Sequence, residues 1–117
     1  MKTILAVDDS PMMRQMLKHT LDEGGFASVL AEDGVQALEL FQKQSFDAVV
    51  TDINMPNMDG LTLIAELRKL NTEIPIMTLT TEAEDDMKRK GAAAGANGWI
   101  VKPMEPEQLI DILKQIL

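Results

Sequence analysis

Acidic, hydroxyl and ammonium side chains follow several of the apolar runs in this sequence. Asp8 and Asp9 come directly after the first run, and Asp52 follows the third. Thr80 and Lys102 end the two later runs. In a doubly wound parallel sheet, reactive groups gather beyond the carboxyl ends of the strands, where the strand order reverses. We therefore expect these five residues to lie close together at one edge of a sheet.

The three carboxylates of this set would repel one another unless a cation compensates their charge. Mg²⁺ is the natural cation, because it prefers hard oxygen ligands, needs only one or two carboxylates and keeps its other positions for water and phosphate. Lys102 adds a compact positive charge that can hold a phosphoryl oxygen. A carboxylate nucleophile, a divalent ion, an ammonium and a hydroxyl are the parts that phosphoryl transfer requires. Asp52 is the best nucleophile candidate, since it follows a central strand.

Short β-branched or aliphatic runs alternate with longer stretches of helical spacing along the chain. This alternation is typical of βα units around a parallel sheet, and five such units fit the sequence. The first, third and fourth runs are almost continuously apolar, so we expect these strands to be covered on both faces and to lie centrally. The predicted strands are Thr3–Val7, Ala27–Ala31, Phe46–Thr51, Ile74–Leu79 and Gly98–Val101.

The helical segments begin at recognisable capping residues and present apolar residues at helical spacing. Helix two is expected to bury Val35, Leu38 and Phe41. Helix four has a thin apolar face, so it should be the least firmly held of the five. The predicted helices follow the caps Ser10, Asp33 and Asp59, cover about 82–94, and open at Pro106.

Length and charge exclude several classes of protein. The 117 residues include 11 basic and 19 acidic side chains, which give a formal net charge of −8 and disfavour binding to nucleic acid or to anionic membranes. The lack of cysteine excludes disulfide scaffolds and thiol nucleophiles, and it permits a cytoplasmic location. No apolar run approaches the roughly 18 residues of a membrane span. The size predicts one domain, residues 1–117, with no output domain.

The motifs taken together resemble the receiver domain of two-component response regulators, and within that family the stand-alone chemotaxis regulators of the CheY type. The resemblance covers essentially the whole chain. It implies an α/β fold of the flavodoxin-like kind, a doubly wound five-stranded parallel sheet in the order 2-1-3-4-5 with five helices. The motifs that carry it are Asp8–Asp9, Thr51–Pro56, Asp59–Gly60, Thr80 and Lys102–Pro103.

The resemblance also implies a role for each site residue. Asp52 would accept a phosphoryl group from a histidine kinase. Asp9, Asp52 and the main-chain carbonyl of Asn54 would bind Mg²⁺, with Asp8 acting through a bound water. Lys102 would pair with the phosphoryl group, and its peptide bond to Pro103 would be cis.

A conformational switch is implied as well. Thr80 would move to hydrogen-bond the phosphoryl oxygen while the aromatic residue Trp99 turns inward, which would change the affinity of the surface formed by helix four, strand five and helix five. Asn54 and Glu82 would flank the site and tune the lifetime of the acyl phosphate. The sequence departs from the family at Trp99, which is bulkier than the usual Tyr or Phe and has an N–H that needs a partner when buried. Thr81 is a second departure, because a small residue is usual there.

The sequence is compatible with several functions. The family resemblance favours a cytoplasmic, monomeric signalling switch whose partners are a histidine kinase of the chemotaxis type and a flagellar motor switch protein or a phosphatase. A relay intermediate that passes its phosphoryl group to a histidine phosphotransfer domain is a second hypothesis. A Mg²⁺-dependent phosphatase of small molecules is a third. A flavin-binding module is the weakest, because Asp8 and Asp9 occupy the turn that would have to bind phosphate.

Overall fold

A computed structural model describes residues 1–103 and 105–117 of the chain. Five strands and five helices alternate, as the sequence predicts. The strands are β1 (Thr3–Val7), β2 (Ala27–Ala31), β3 (Ala48–Thr51), β4 (Ile76–Thr80) and β5 (Gly98–Val101). The helices are α1 (Pro11–Glu23), α2 (Gly34–Lys43), α3 (Gly60–Leu70), α4 (Asp85–Ala94) and α5 (Pro106–Ile116).

All neighbouring strands are parallel, and their order is β2-β1-β3-β4-β5. The three strands predicted to be central, β1, β3 and β4, are flanked on both sides. Every residue of β3 and β4 is buried, because helices cover both faces of the sheet. The flavodoxin-like order implied by the resemblance is therefore confirmed.

The core lies in two layers, one on each face of the sheet. One layer contains Leu17 of α1 and Leu109 of α5 packed against β1, β3 and β4. The other contains Ala37 of α2 and Leu63 of α3. In α4 only Gly91 is buried, in agreement with its thin apolar face.

The prediction that helix two buries Val35 is wrong. Val35 is 41% exposed, whereas Gly34 and Ala37 are buried and Leu38 and Phe41 pack against the core. The buried stripe thus runs through positions 34, 37, 38 and 41, which is the i, i+3, i+4, i+7 spacing of one helix face. Val35 lies beside this stripe and faces outward.

Among the described residues, no helix has the length and apolar character that crossing a bilayer would require.

Candidate functional site

The pairing of β1 with β3 brings two of the predicted site residues together. Val7 and Thr51 are register partners at the ends of these strands, so Asp8 and Asp52 leave the sheet side by side. The N–H of Asp52 donates to the carbonyl of Val7 at 2.9 Å, which continues the ladder by one step. Both side chains therefore begin from firmly held backbone.

Three carboxylates meet at this edge of the sheet. Asp8, Asp9 and Asp52 each present one oxygen, and these oxygens lie within 4.8 Å of one another. Asp8 is 1% and Asp52 9% exposed, while Asp9 is open to solvent. Two buried hard donors and one exposed donor suit a cation such as Mg²⁺, because the open side leaves positions for water or phosphate oxygens. The donor set therefore fits the predicted ion.

Lys102 reaches the same cluster from the end of β5. Its Nζ lies 2.8 Å from Asp8 Oδ2 and 3.2 Å from Asp52 Oδ2. Burial disfavours the ammonium, but the hydrogen bond to Asp8 and the charges of Asp52 and Asp8 outweigh it and raise the pKa of Lys102. The side chain is therefore a fixed positive charge at neutral pH. Its peptide bond to Pro103 is cis, as the resemblance implies.

The remaining contacts of Asp52 fix its orientation. Oδ1 accepts a hydrogen bond from the N–H of Ile53 at 2.6 Å, and Oδ2 accepts from Lys102. The hydroxyl of Thr51 donates to the carbonyl of Asp52 at 2.8 Å. Gly60 packs directly behind this peptide, where a Cβ would overlap the Asp52 carbonyl oxygen. The carboxylate is thus positioned before any substrate arrives.

One contact with the first acidic turn was not expected from the sequence. Arg14 Nη1 donates to the main-chain carbonyl of Asp8 at 2.7 Å. Arg14 lies on α1, one turn after the cap Ser10, whose hydroxyl accepts from Met13 N. Arg14 lies near the start of α1, shortly after the acidic pair. This position is the feature of the sequence that could have indicated the contact with Asp8.

The other predicted residues lie around the mouth of the cluster. The side-chain amide of Asn54 donates to Glu82 Oε1 at 2.8 Å. Thr80 is fully buried at the end of β4, and its hydroxyl accepts from the N–H of Glu82 at 3.3 Å. In this structure the Thr80 hydroxyl is therefore engaged with the loop after β4.

Trp99 is half-buried on β5 and its ring packs on Gly91 of α4, where a Cβ would lie 2.5 Å from Cζ3. Its indole N–H donates to the main-chain carbonyl of Glu82 at 2.7 Å. Glu82 thus supplies the acceptor that the indole N–H needs, and the same residue contacts Asn54 and Thr80.

Thr81 lines a cavity of about 370 Å³ beside the site. The other lining residues are Met13, Met16, Lys102 and Pro103. The lining is mainly apolar, with the Lys102 side chain at the end nearest the carboxylates. The residue that departs from the family pattern at position 81 is therefore exposed and borders this cavity.

Comparison with known proteins points to one family. A family model described as the response regulator receiver domain matches residues 4–114. The chemotaxis protein CheY4 of Vibrio cholerae is 43% identical, with a TM-score of 0.95 over 100% of this chain and 99% of that one. The response regulator TrrA of Thermotoga maritima, solved in complex with Mg²⁺ and BeF, is 35% identical, with a TM-score of 0.92 over 100% of both chains.

Curated relatives include larger proteins. The sensor protein EvgS of Escherichia coli is 41% identical over 112 residues, which are 96% of this chain. The chain spans 9% of EvgS and 50% of several mycobacterial response regulators that it also matches. The matched segment is thus one unit within those longer proteins.

Proposed function

The chain belongs to the response regulator receiver domain family, and from this membership we propose that it is a phosphorylation-operated switch. A histidine kinase donates a phosphoryl group to Asp52 with the help of Mg²⁺, and the modified form changes its affinity for a target. The whole of residues 1–117 acts as the receiver unit, in the cytoplasm and as a monomer.

The observation that carries this proposal is the position of Asp52. Its carboxylate is buried, oriented by the N–H of Ile53, and lies both within the cluster of three carboxylates and 3.2 Å from the Lys102 ammonium. A structural carboxylate needs a single counter-charge. Three carboxylates beside one ammonium leave a formal charge of −2 in a half-enclosed site, which one divalent cation would neutralise.

Asp9, Asp52 and the main-chain carbonyl of Asn54 are the proposed Mg²⁺ ligands, with Asp8 acting through water. When bound, the ion would neutralise the charge that develops on the phosphoryl oxygens. Asp8 keeps Lys102 in place through the 2.8 Å hydrogen bond, so the ammonium remains next to the nucleophile.

The chemical step requires no general base. Asp52 attacks as a carboxylate, so no proton has to leave it. A bond forms between its oxygen and phosphorus as the bond from phosphorus to the imidazole nitrogen of the phosphohistidine breaks. The bonding electron pair returns to that nitrogen. Lys102 then pairs with a phosphoryl oxygen, and its fixed charge stabilises both the transition state and the product.

The output follows from the loop after β4. Once the phosphoryl group is present, the Thr80 hydroxyl donates to it and gives up the hydrogen bond from Glu82 N. Movement of Glu82 shifts its main-chain carbonyl, which accepts the hydrogen bond from the Trp99 indole. Trp99 belongs to β5 and packs on Gly91 of α4, so this change alters the surface formed by α4, β5 and α5. We propose a flagellar motor switch protein or a phosphatase as the partner of that surface, on the strength of the similarity to CheY4.

Mass spectrometry tests the phosphoacceptor. Treatment with acetyl phosphate and Mg²⁺ is expected to add one phosphoryl group to the wild type and none to Asp52→Asn. Asp47→Asn is the matched control, because Asp47 lies at the other end of β3 and its carboxylate accepts from Thr3 N. The control should still be modified. A wild type that acquires no adduct, or an adduct that persists in Asp52→Asn, would end the proposal.

A relay role is the second candidate, and the match to EvgS favours it. In that case the phosphorylated protein would pass its phosphoryl group on to a histidine phosphotransfer domain. Incubation of the radiolabelled protein with such a purified domain distinguishes the two roles. Transfer faster than hydrolysis indicates a relay, whereas label that is lost only to phosphate indicates a switch.

A further inference from the structure

The loop between β3 and α3, residues 52–59, is tied to the start of α2 by one side-chain hydrogen bond. Asn57 Nδ2 donates to Asp33 Oδ2 at 2.8 Å. The other oxygen of the same carboxylate, Oδ1, accepts from the N–H of Gln36 at 2.8 Å and caps α2. Asp33 is only 9% exposed, so both of its oxygens are committed inside the fold.

The backbone of this loop is closely constrained where the bond is made. Asn57 has φ of 69°, in the left-handed region that few residues adopt. Gly34, next to Asp33, lies against the loop so closely that a Cβ there would be 2.8 Å from Met58 Cβ. The N–H of Gly60 donates to the carbonyl of Ile53 at 2.8 Å and closes the loop. The start of α2 is therefore in direct contact with the segment that carries Asn54.

Asn54 is held from the opposite side by Glu82, which accepts a hydrogen bond from its side-chain amide. The loop thus has two anchors, one on the α4 side and one on the α2 side. The carboxylates of Asp9 and Asp52 are positioned by β1 and β3, but the carbonyl of Asn54 belongs to irregular backbone and depends on these anchors.

We propose that Asp33 and Asn57 are positioning residues for the metal site, whose hydrogen bond keeps the main-chain carbonyl of Asn54 in place for Mg²⁺. This inference rests on the proposed function, because Asn54 is a ligand only if the site binds the ion. Partners that orient the ligands of a metal are worth about 10- to 100-fold in affinity.

The chemistry of the bond suits this role. The hydrogen bond from Gln36 N and the bond from Asn57 both lower the pKa of Asp33, so its carboxylate is ionised at neutral pH. A hydrogen bond to an ionised acceptor is about twice as strong as one between neutral groups. Capping alone would need only one oxygen, as at Ser10, where a single hydroxyl caps α1.

The bond can be broken from either side without changing the local backbone. Asp33→Ser keeps a good capping oxygen but has no second oxygen for Asn57. Asn57→Gly removes the amide and keeps the left-handed conformation, which glycine adopts freely. Asp33→Asn is the conservative variant. The oxygen of the new amide can accept from Gln36 N, and its NH₂ group can donate to the side-chain oxygen of Asn57 once the Asn57 amide has flipped. Asp59→Ser is the charge-matched control, since Asp59 caps α3 by accepting from Thr62 N.

Calorimetric Mg²⁺ titration of the full chain at constant ionic strength is the first test. Asp33→Ser and Asn57→Gly should each raise the Mg²⁺ dissociation constant by about tenfold. The double variant should bind Mg²⁺ about as tightly as the single variants, because both changes remove the same hydrogen bond. Asp33→Asn and Asp59→Ser should stay within about twofold of the wild type. Unchanged binding in both single variants, or fully additive losses in the double variant, would overturn the proposal.

Amide hydrogen exchange of the metal-free protein is the second test, and it separates this inference from the proposed function. Loss of the bond should accelerate exchange at the Gly60 amide by about tenfold and leave the amides of β1 unchanged. A wild type that takes up no Mg²⁺ would refute the proposed function and with it the role of Asp33 and Asn57 at a metal site. If the wild type binds Mg²⁺ but exchange at Gly60 is the same in Asn57→Gly, only the positioning role is refuted.

Discussion

The indole Nε1 of Trp99 donates a hydrogen bond to the main-chain carbonyl of Glu82 at 2.7 Å. This contact joins β5 to the loop between β4 and α4. The side chain of Glu82 in turn accepts from Asn54, in the loop that follows Asp52. The sole tryptophan of the chain is therefore connected through two hydrogen bonds to Asn54, in the loop that follows the Asp52 carboxylate.

Binding of Mg²⁺ is expected to change the fluorescence emission of Trp99. An ion held by Asn54 and the carboxylates alters the field and the hydrogen bonding at Glu82, and the indole reports that change. Titration with Mg²⁺ at constant ionic strength gives the measurement, and Asp9→Asn is the control that should flatten the response. Emission that stays constant while calorimetry shows saturation would contradict this geometry.

Trp99→Phe should lower the free energy of unfolding by about 1–3 kcal/mol. Phenylalanine retains a ring against Gly91 but cannot donate to the carbonyl of Glu82, and an acceptor left without its partner in a partly buried site is destabilising by about this amount. Urea unfolding of both proteins without metal provides the measurement. Coincident unfolding curves would mean that water replaces the indole N–H as donor to the Glu82 carbonyl with no loss of stability.

Mg²⁺ should raise the thermal unfolding midpoint. The ion relieves repulsion among Asp8, Asp9 and Asp52 and binds only the folded site. At a concentration ten times the dissociation constant, the stabilisation is about 1.4 kcal/mol, which shifts the midpoint of a domain of this size by about 4–8 °C. Scanning calorimetry with Mg²⁺ and with chelator measures the shift. Equal midpoints in the wild type would show that the cluster does not take up the ion.

Lys102→Met should destabilise the metal-free protein by about 3 kcal/mol. The substitution keeps most of the side-chain volume but leaves the buried carboxylates of Asp8 and Asp52 without their counter-charge, which is strongly unfavourable. Urea unfolding with chelator at pH 7 gives the value. Mg²⁺ should stabilise this variant more than the wild type, because the ion then supplies the positive charge that Lys102 no longer provides.

The same pair of proteins gives a pH dependence with a definite sign. The pKa of Lys102 is raised in the folded state, so its stabilisation is fully present below the ordinary value of 10.5 and is lost as the pH rises through the folded value. The stability difference between wild type and Lys102→Met should therefore be constant from neutral pH to about pH 9 and shrink above 10.5. A difference that grows at alkaline pH would contradict the assigned ion pairs.

The ends of several elements were not predictable from the local pattern. Strand β3 begins at Ala48 rather than at Phe46, because Phe46 stacks on Phe41 and the carboxylate of Asp47 accepts from Thr3 N. Strand β4 begins at Ile76 rather than at Ile74, whose N–H is bonded to the side chain of Asn71. Helix α4 begins at Asp85 rather than at Glu82, whose groups are used by Thr80, Asn54 and Trp99. Each element was correct in kind, but side-chain contacts that the local pattern does not show decided where it began.

The amino-acid sequence by itself determined the alternation of five strands and five helices, which of the strands are central, and that acidic residues and a lysine follow them. These features depend on periodicity and on residue type, which are local properties. Only the tertiary structure decided that Lys102 contacts Asp8 and Asp52, that Glu82 joins Asn54 and Trp99, and that Asp33 holds Asn57. Such hydrogen bonds join residues that are far apart in the chain, so they exist only once packing has brought the strand ends and loops together.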